Sequence, residues 1–235
     1  MIDTHCHLLP AIDDGPRTEP DFVRLARVLA DEGVTRIVCT PHYSALHDAP
    51  VSLVHDRLER ARQVLAMLEI PLELEAGAEV SVDRALAAPA AELHARAIAV
   101  EFLLVELVSD VPAKVPERVL ERLGEEGLRP IFAHPERWLA RTGVVAAVDA
   151  LKDAGALLQI VAPSLIGTTS AHVWRIAWEL VVSGRADLVG SDAHRAGGRR
   201  VRLRALAELL DERCGVERRM ELLVGAPGRL LAGTL

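Results

Sequence analysis

The sequence predicts a parallel α/β protein, a distorted (β/α)7 barrel with one unit fewer than the usual eight, and three observations carry that expectation. About seven short apolar runs alternate with segments of helical spacing along the 235 residues. Half of the residues are hydrophobic but only 3% are aromatic, so the core is built from Leu, Val, Ile and Ala, the usual filling of such folds. Finally, His5/His7, His42, Glu79, Glu106, His134 and Asp192/His194 fall at or near the C-terminal ends of six of the apolar runs. A closed barrel brings those ends to one mouth, whereas an open sheet spreads them along an edge at about 5 Å per strand.

Taken in order, the run 1–4 is a strand that ends where the histidines begin. Residues i and i+2 of a strand share a face, so His5 and His7 can bind one ion. Pro10, Gly15 and Pro16 mark the next segment as a loop, and it carries Asp13 and Asp14. Phe22, Leu25, Ala26 and Leu29 give 19–33 a helical period, with Gly33 suited to its C-terminal cap. A strand at 34–40 runs into Pro41 and His42, a helix follows at 51–68, and 72–80 alternates up to Glu79. An Ala-rich helix is expected from about 83 to 97. The apolar strand 101–108 is interrupted by Glu106, a carboxylate that is costly to bury unless a cation compensates it. A helix at 116–126 opens on Pro116, strand 129–133 ends at His134, and helix 143–154 leads through Gly155 into strand 156–161. Helix 170–183 leads through Gly184 into strand 187–190, which ends at Ser191-Asp192-Ala193-His194. Two helices and a short last turn complete 201–231.

Bulk properties narrow the function. No Ser/Gly/Pro-rich linker or charge block divides the chain, so one domain over 1–235 is expected. A net charge of -7 and a pI near 5.7 argue against a nucleic-acid partner. Cys6, Cys39 and Cys214 form no CxxC pair and fit a reducing compartment; the first two read as small packing residues. With no apolar run approaching a membrane span and no signal-like start, a cytoplasmic protein without stable membrane insertion is expected. Oligomeric state is left open.

Imidazole and carboxylate donors without cysteine pairs suit Zn, Mn, Fe or Co in a catalytic site with open positions. His5, His7, His42, His134 and His194 with Asp14, Glu79, Glu106 and Asp192 exceed what one ion can use, so two to three divalent ions are implied, with a carboxylate such as Glu79 bridging. Ions about 4 Å apart lower the pKa of a shared water and supply a nucleophile at neutral pH. Arg137 and Arg199 add guanidinium groups that suit phosphate. Metal ligands plus arginines point to phosphoester hydrolysis. No Cys is followed six positions later by Arg, and no G-x-x-x-x-G-K-[ST] is present, so a cysteine phosphatase loop and a P-loop are both absent.

The segments IDTHCHLLPAIDDG (2–15), TPH (40–42), GAEV (77–80), LLVEL (103–107), AHPER (133–137) and SDAH (191–194) resemble those of the polymerase and histidinol phosphatase (PHP) superfamily. IDDG after HxH, together with HPER, resembles the CpsB/YwqE-type bacterial protein-tyrosine phosphatases within it. The resemblance implies a PHP-type barrel and a trinuclear, Mn-preferring site. By that likeness His5, His7, Glu79 and Asp192 hold one ion, Glu79, Glu106 and His134 a second, and Asp14, His42 and His194 a third. Arg137 and Arg199 match the phosphate-binding arginines. The implied substrate is the phosphotyrosine-bearing tail of a bacterial tyrosine autokinase that controls capsule or exopolysaccharide export. Tyr43 to His47 after TPH, and LVELV without an aromatic after its Glu, depart from relatives at the expected substrate rim.

Other readings stand beside this one. A small-molecule phosphatase of the histidinol-phosphate kind needs an enclosed pocket with a group for the amine. A non-catalytic metal-binding regulator has no need of a full ligand set, and an amidohydrolase-like enzyme gives no reason for the arginines. His47, His55, His94 and His172 read as surface groups, Asp13 as a loop cap that competes with Asp14, and Glu136 as a group orienting His134 or capping a helix. Arg200 reads as a surface residue. Tyr43 suits either a substrate ring or packing, and Trp138, Trp174 and Trp178 suit the core.

Overall fold

A computed structural model describes residues 1–143, 146–197 and 201–235. Nine strands occur among them: β1 (Ile2–Cys6), β2 (Arg36–Cys39), β3 (His42–Tyr43), β4 (Glu73–Ala76), β5 (Glu79–Ser81), β6 (Phe102–Glu106), β7 (Arg129–Ala133), β8 (Leu157–Val161) and β9 (Leu188–Gly190). Every pairing is parallel, in the orders β1-β2-β4 and β3-β5-β6-β7-β8-β9. β3 continues β2 beyond Thr40-Pro41, and β5 continues β4 beyond Gly77-Ala78, so the two sheets share two interrupted staves. The circle is joined at its ends: Asp192 N–H donates to His5 O (2.9 Å), His7 N–H to Ala193 O (3.0 Å), and Cys6 bridges Ala193 in parallel. Counting each interrupted stave once gives the seven units expected, arranged as a TIM-like barrel of the PHP type.

The interruptions have local causes. Pro41 brings no N–H to the ladder, and its carbonyl instead accepts from Glu79 N (3.0 Å), which fixes the register where the site begins. Gly77 sits where a Cβ would meet Val38 Cγ1 at 2.8 Å and Ile98 Cγ1 at 3.0 Å, so the chain turns against its neighbours only without a side chain.

Period-two alternation builds the barrel interior. Phe102 and Leu104 of β6, Ile131 and Ala133 of β7, Leu157 of β8 and Leu188 of β9 form a buried apolar cluster with Val38 and Ile98. The next position on the same face of β6 is Glu106, so the interior changes from apolar floor to polar mouth within one step of the pleat. The last helix, Ala226–Leu231, covers the floor with Ala226 and Leu230. The larger apolar cluster lies between the barrel and its outer helices. Glu19–Asp31 is typical of these, with Thr18 and Asp21 forming a reciprocal cap and Phe22, Leu25, Ala26 and Leu29 all buried.

Several elements depart from sequence expectation. The single helix expected over 83–97 is two short ones, Val82–Ala87 and Ala90–His94, because Pro89 supplies no N–H and Ala88 is extended. Two helices were not expected, Pro135–Thr142 after β7 and Ala162–Leu165 after β8, each opening with a proline in its first turn. The expected strands 34–40 and 72–80 are each split or shortened at the interruptions described above. The long helix Leu203–Met220 is kinked at Gly215 (φ 82°). Tyr43 is buried, with the Arg96 guanidinium 3.7 Å from its ring centre and Arg84 at 4.9 Å, which assigns it to packing rather than to a substrate ring. Trp138 is likewise buried, its indole N–H bonded to Val111 O (2.9 Å).

Leu230→Ala should lower unfolding stability by about 2–5 kcal/mol through the cavity it leaves under the floor. Urea unfolding measures this, and metal affinity should be unchanged because the floor lies at the opposite end from the mouth.

Candidate metal centre

Nine of the expected ligands and Arg137 converge on the C-terminal mouth. Glu79, buried at the start of β5, is the hub. Its Oε1 lies 3.0 Å from His134 Nε2 and 3.4 Å from His5 Nε2, and its Oε2 lies 3.1 Å from His42 Nδ1 and 3.2 Å from His7 Nε2. Asp192 Oδ1 lies 3.7 Å from His5 Nε2 and 3.8 Å from His7 Nε2. Asp14 Oδ1 lies 3.2 Å from His194 Nε2 and 3.7 Å from His42 Nε2. Three sets have donor atoms mutually within 4.8 Å: His7, Asp14, His42 and His194; His5, His7 and Asp192; and His42, Glu79 and Glu106. The sets overlap at His7 and His42, so their grouping differs from the partition that the family resemblance implies; eight of the nine residues recur in them, and His134 joins the cluster through Glu79 instead. Arg199 lies outside the described residues, as does Arg200.

The neighbours of two imidazoles fix their tautomers. Gln159 Nε2 donates to Thr4 Oγ1 (2.8 Å) and, more weakly, to the Thr4 carbonyl (3.4 Å). Its Oε1 therefore faces His5 Nδ1 (2.8 Å), which must carry a proton. Asp13 Oδ2 accepts from His7 Nδ1 (2.7 Å) and from His42 N–H (3.0 Å), while its Oδ1 accepts from Gly15 N–H (2.9 Å). Asp13 thus holds His7 from behind rather than competing with Asp14. His5 Nε2 and His7 Nε2 then face each other at 3.3 Å, among the oxygens of Glu79 and Asp192. The Nε2 atoms of His5 and His7 and the oxygens of Glu79 and Asp192 converge on one space that a cation, either a metal ion or the proton it displaces, must fill, and His134 Nδ1 is a further buried nitrogen without a partner among the described residues. The residues present therefore fit divalent ions.

Charge in the metal-free site follows from the same geometry. Burial alone would raise the Glu79 carboxyl, but the His5 charge and bonds from His134, His5 and His7 outweigh it and hold it well below the ordinary range. Burial would lower His7, yet its bonds to Asp13 and Glu79 raise it to about 10; Asp13, despite burial, falls to about 2 beside His7. Glu106 moves the other way, raised first by burial and then by the negative charge of Glu79. Burial lowers His42 and His194, which keeps these two imidazoles neutral and available as donors.

Backbone strain and close approach complete the site. His134 (φ 38°) and Asp192 (φ 53°) are left-handed residues with side chains, a conformation that costs on the order of 1–3 kcal/mol and turns each side chain into the mouth. A Cβ on Gly190 would fall 2.5 Å from His5 Cβ, so glycine there lets β9 approach β1. Arg137, on the helix Pro135–Thr142, donates to Asp192 Oδ2 (2.8 Å) and faces a cleft of about 700 Å³ that also borders Glu106, Thr168 and Arg195. Glu136 accepts from Val161 N–H (3.4 Å), tying that helix to the end of β8.

Sequence reasoning missed Gln159, Gly190, Arg195 and His47, whose ring stacks on His42 with centres 5.5 Å apart. Gln159 carries the same signal as Glu106, a polar side chain in the middle of an apolar strand. Gly190 and Arg195 carry no such signal, because their roles depend on which strands adjoin. Burial raises the Cys6 and Cys39 thiols, consistent with packing residues.

Fold and site together define a PHP-type α/β barrel with a histidine–carboxylate cluster at its mouth. The chain belongs to the CpsB/CapC family of capsular polysaccharide synthesis, whose model matches residues 1–232. It is 27% identical over 219 residues to the tyrosine-protein phosphatase YwqE of Bacillus subtilis (strain 168), covering 92% of this chain and 86% of that one. Among solved structures, one from the work on YwqE of Bacillus subtilis and CpsB of Streptococcus pneumoniae, described as unique metal-dependent tyrosine phosphatases, matches with a TM-score of 0.85. That match has 26% identity and covers 100% of this chain and 96% of the other. The histidinol phosphate phosphatase of Lactococcus lactis, with zinc, L-histidinol and phosphate, matches with a TM-score of 0.60 at 13% identity over 91% of this chain and 93% of that one, a likeness of fold.

Two outcomes test the geometry. Asp13→Ala should weaken divalent metal affinity about 10- to 100-fold while leaving the circular dichroism of the fold in place. Because His7 holds a proton up to about pH 10 in the metal-free protein, metal binding must displace it. Affinity should then rise about tenfold per pH unit from pH 7 to 9 for each proton released, read by titration calorimetry in buffers of different ionisation enthalpy.

Proposed function

We propose that this protein is a metal-dependent phosphatase that hydrolyses protein phosphotyrosine, and that its substrate is the tyrosine-phosphorylated tail of an autokinase controlling capsule or exopolysaccharide export. The observation that carries the reading is the convergence of five imidazoles and four carboxylates on one mouth with Arg137 beside them. The family's description and the names of its relatives supply the capsule link and the phosphotyrosine class.

In this reading His5, His7, Glu79 and Asp192 hold one ion, Glu79, Glu106 and His134 a second, and Asp14, His42 and His194 a third. Manganese is the expected metal, since hard oxygen and imidazole donors suit it; iron, cobalt and zinc are accepted by the same donors. When bound, the ions supply Lewis acidity and an activated water. The chain's own residues do the rest. Arg137, held by Asp192, presents its guanidinium to the phosphate oxygens and offsets the charge that grows on them during transfer. Asp13 and Gln159 keep His7 and His5 in one tautomer, so no reorganisation is needed on substrate binding. Tyrosine leaves as a phenolate of pKa about 10, which relaxes the need for a strong general acid. Arg199 is proposed as a second phosphate contact. The chain is read as one domain, and a cytoplasmic location is proposed with the kinase tail as substrate. Among the described residues no helix is long and apolar enough to cross a membrane.

The cleft opens to solvent, as a protein substrate needs. Stripping metal with chelator should abolish turnover of a phosphotyrosine peptide, and re-adding Mn should restore it. Arg137→Ala should lower kcat/KM by about a hundredfold or more, with metal content measured in parallel because Arg137 also contacts Asp192. A fully metallated protein that hydrolyses neither the peptide nor p-nitrophenyl phosphate overturns the reading. Histidinol phosphate as the preferred substrate moves it to the small-molecule class.

A further inference from the structure

Beside the metal cleft lies a second groove of about 350 Å³, and the two share His194, Arg195 and Gly197 along their common edge. Among the described residues three arginines line it: Arg17 from the first loop, Arg24 from the helix Glu19–Asp31, and Arg195 from the segment after β9. Asp21 is the one acid among the described lining residues, and it is already engaged. It accepts from Thr18 N–H (3.2 Å) and Thr18 Oγ1 (2.6 Å) in the helix cap and pairs with Arg24. Arg17 and Arg195 are exposed and form no ion pair among the described residues. In a chain of net charge -7, three guanidinium groups from three separate segments face one carboxylate here, and with Arg24 paired to Asp21 the charges of Arg17 and Arg195 make a local positive field that the fold does not use internally.

We propose that this groove is a second anion subsite. It takes a carboxylate or a second phosphate carried by the substrate peptide within a few residues of the phosphotyrosine in the metal cleft. The proposal rests on the phosphotyrosine reading above and adds the substrate's sequence class: acidic or multiply phosphorylated tails are preferred over neutral ones. The chemistry is that of guanidinium forks, which bind carboxylate and phosphate oxygens two at a time. The geometry is that of an extended peptide, which advances about 3.3 Å per residue, so a neighbour of the reacting tyrosine reaches an adjoining groove without a bend. Arg195 borders both spaces and forms the wall between them.

The test compares synthetic phosphotyrosine peptides on the Mn-loaded full chain. One set carries two glutamates before or after the phosphotyrosine, one carries a second phosphotyrosine there, and one carries alanines. The wild-type protein should favour an anionic peptide over the alanine peptide by about tenfold in kcat/KM, since a few rim ion pairs contribute that much together, and added salt should shrink the preference. The Arg17→Glu/Arg24→Glu variant should bring the ratio to about one. Because the ratio is taken on one preparation, it is independent of the fraction folded or metallated. Arg17→Glu alone, at an exposed loop position, serves if the double variant does not fold. The glutamate and phosphate arms show which anion the groove prefers.

Turnover without any preference, or a preference that survives in the variants, overturns the subsite and leaves the phosphatase reading intact. If no ester is turned over, fluorescence anisotropy with the same peptides still decides. Tighter binding of the anionic peptides that is lost in Arg17→Glu upholds the subsite without the phosphatase reading, and equal binding of all peptides overturns both.

Discussion

The buried carboxylate of Glu79 is the constraint on which the rest of the molecule depends. Four imidazoles from three staves lie within 3.4 Å of its oxygens, and a charge so placed is tolerable only where positive partners surround it. The barrel provides them because parallel staves end together at one rim. The interruption that brings His42 and Glu79 into register, Pro41 opposite Gly77-Ala78, is therefore part of the site as much as of the fold.

A mouth of this kind works against stability. It gathers lone pairs that repel, carries two residues with side chains at positive φ, and buries the carboxyl of Asp3 with one oxygen unpartnered. The apolar floor one pleat below offsets this, with Phe102, Leu104 and Ile131 fully buried at roughly 1.5–3 kcal/mol each. The division of labour runs along each strand: the N-terminal half packs, and the C-terminal end carries chemistry. Gln159 shows how closely the two are joined, since it lies in the strand interior yet determines which nitrogen of His5 faces the cluster.

The mouth is also asymmetric. Arg137 faces the cleft from the helix after β7, while Arg17, Arg24 and Arg195 line the adjoining groove. A polyanionic chain laid across the mouth would meet guanidinium groups both in the cleft and in the groove beside it. An overall acidic protein can thus attract an anionic substrate locally without becoming a general polyanion binder.

Much of this was legible in the residues alone. Alternating runs and helical periods disclosed the parallel barrel, because side-chain period and strand direction are local properties of the chain. That His5, His7, His42, Glu79, Glu106, His134, Asp192 and His194 gather in one cluster was legible because each falls at or near a strand end, and strand ends in a barrel have one place to go. Glu106 was the clearest, being a carboxylate in an apolar strand. Helix boundaries near Pro89 and Pro135 were less so, since a proline there can break a helix or begin one and only packing selects between them. Tertiary structure alone decided that Asp13 braces His7 while Asp14 faces the cluster, that Gln159 sets the His5 tautomer, that Gly190 is where β9 closes on β1, and that Arg17 and Arg195 meet across one groove. The physical reason is common to all four: each is a contact between residues far apart in the chain or facing opposite ways in one loop, and such contacts are set by barrel closure and register rather than by any local pattern.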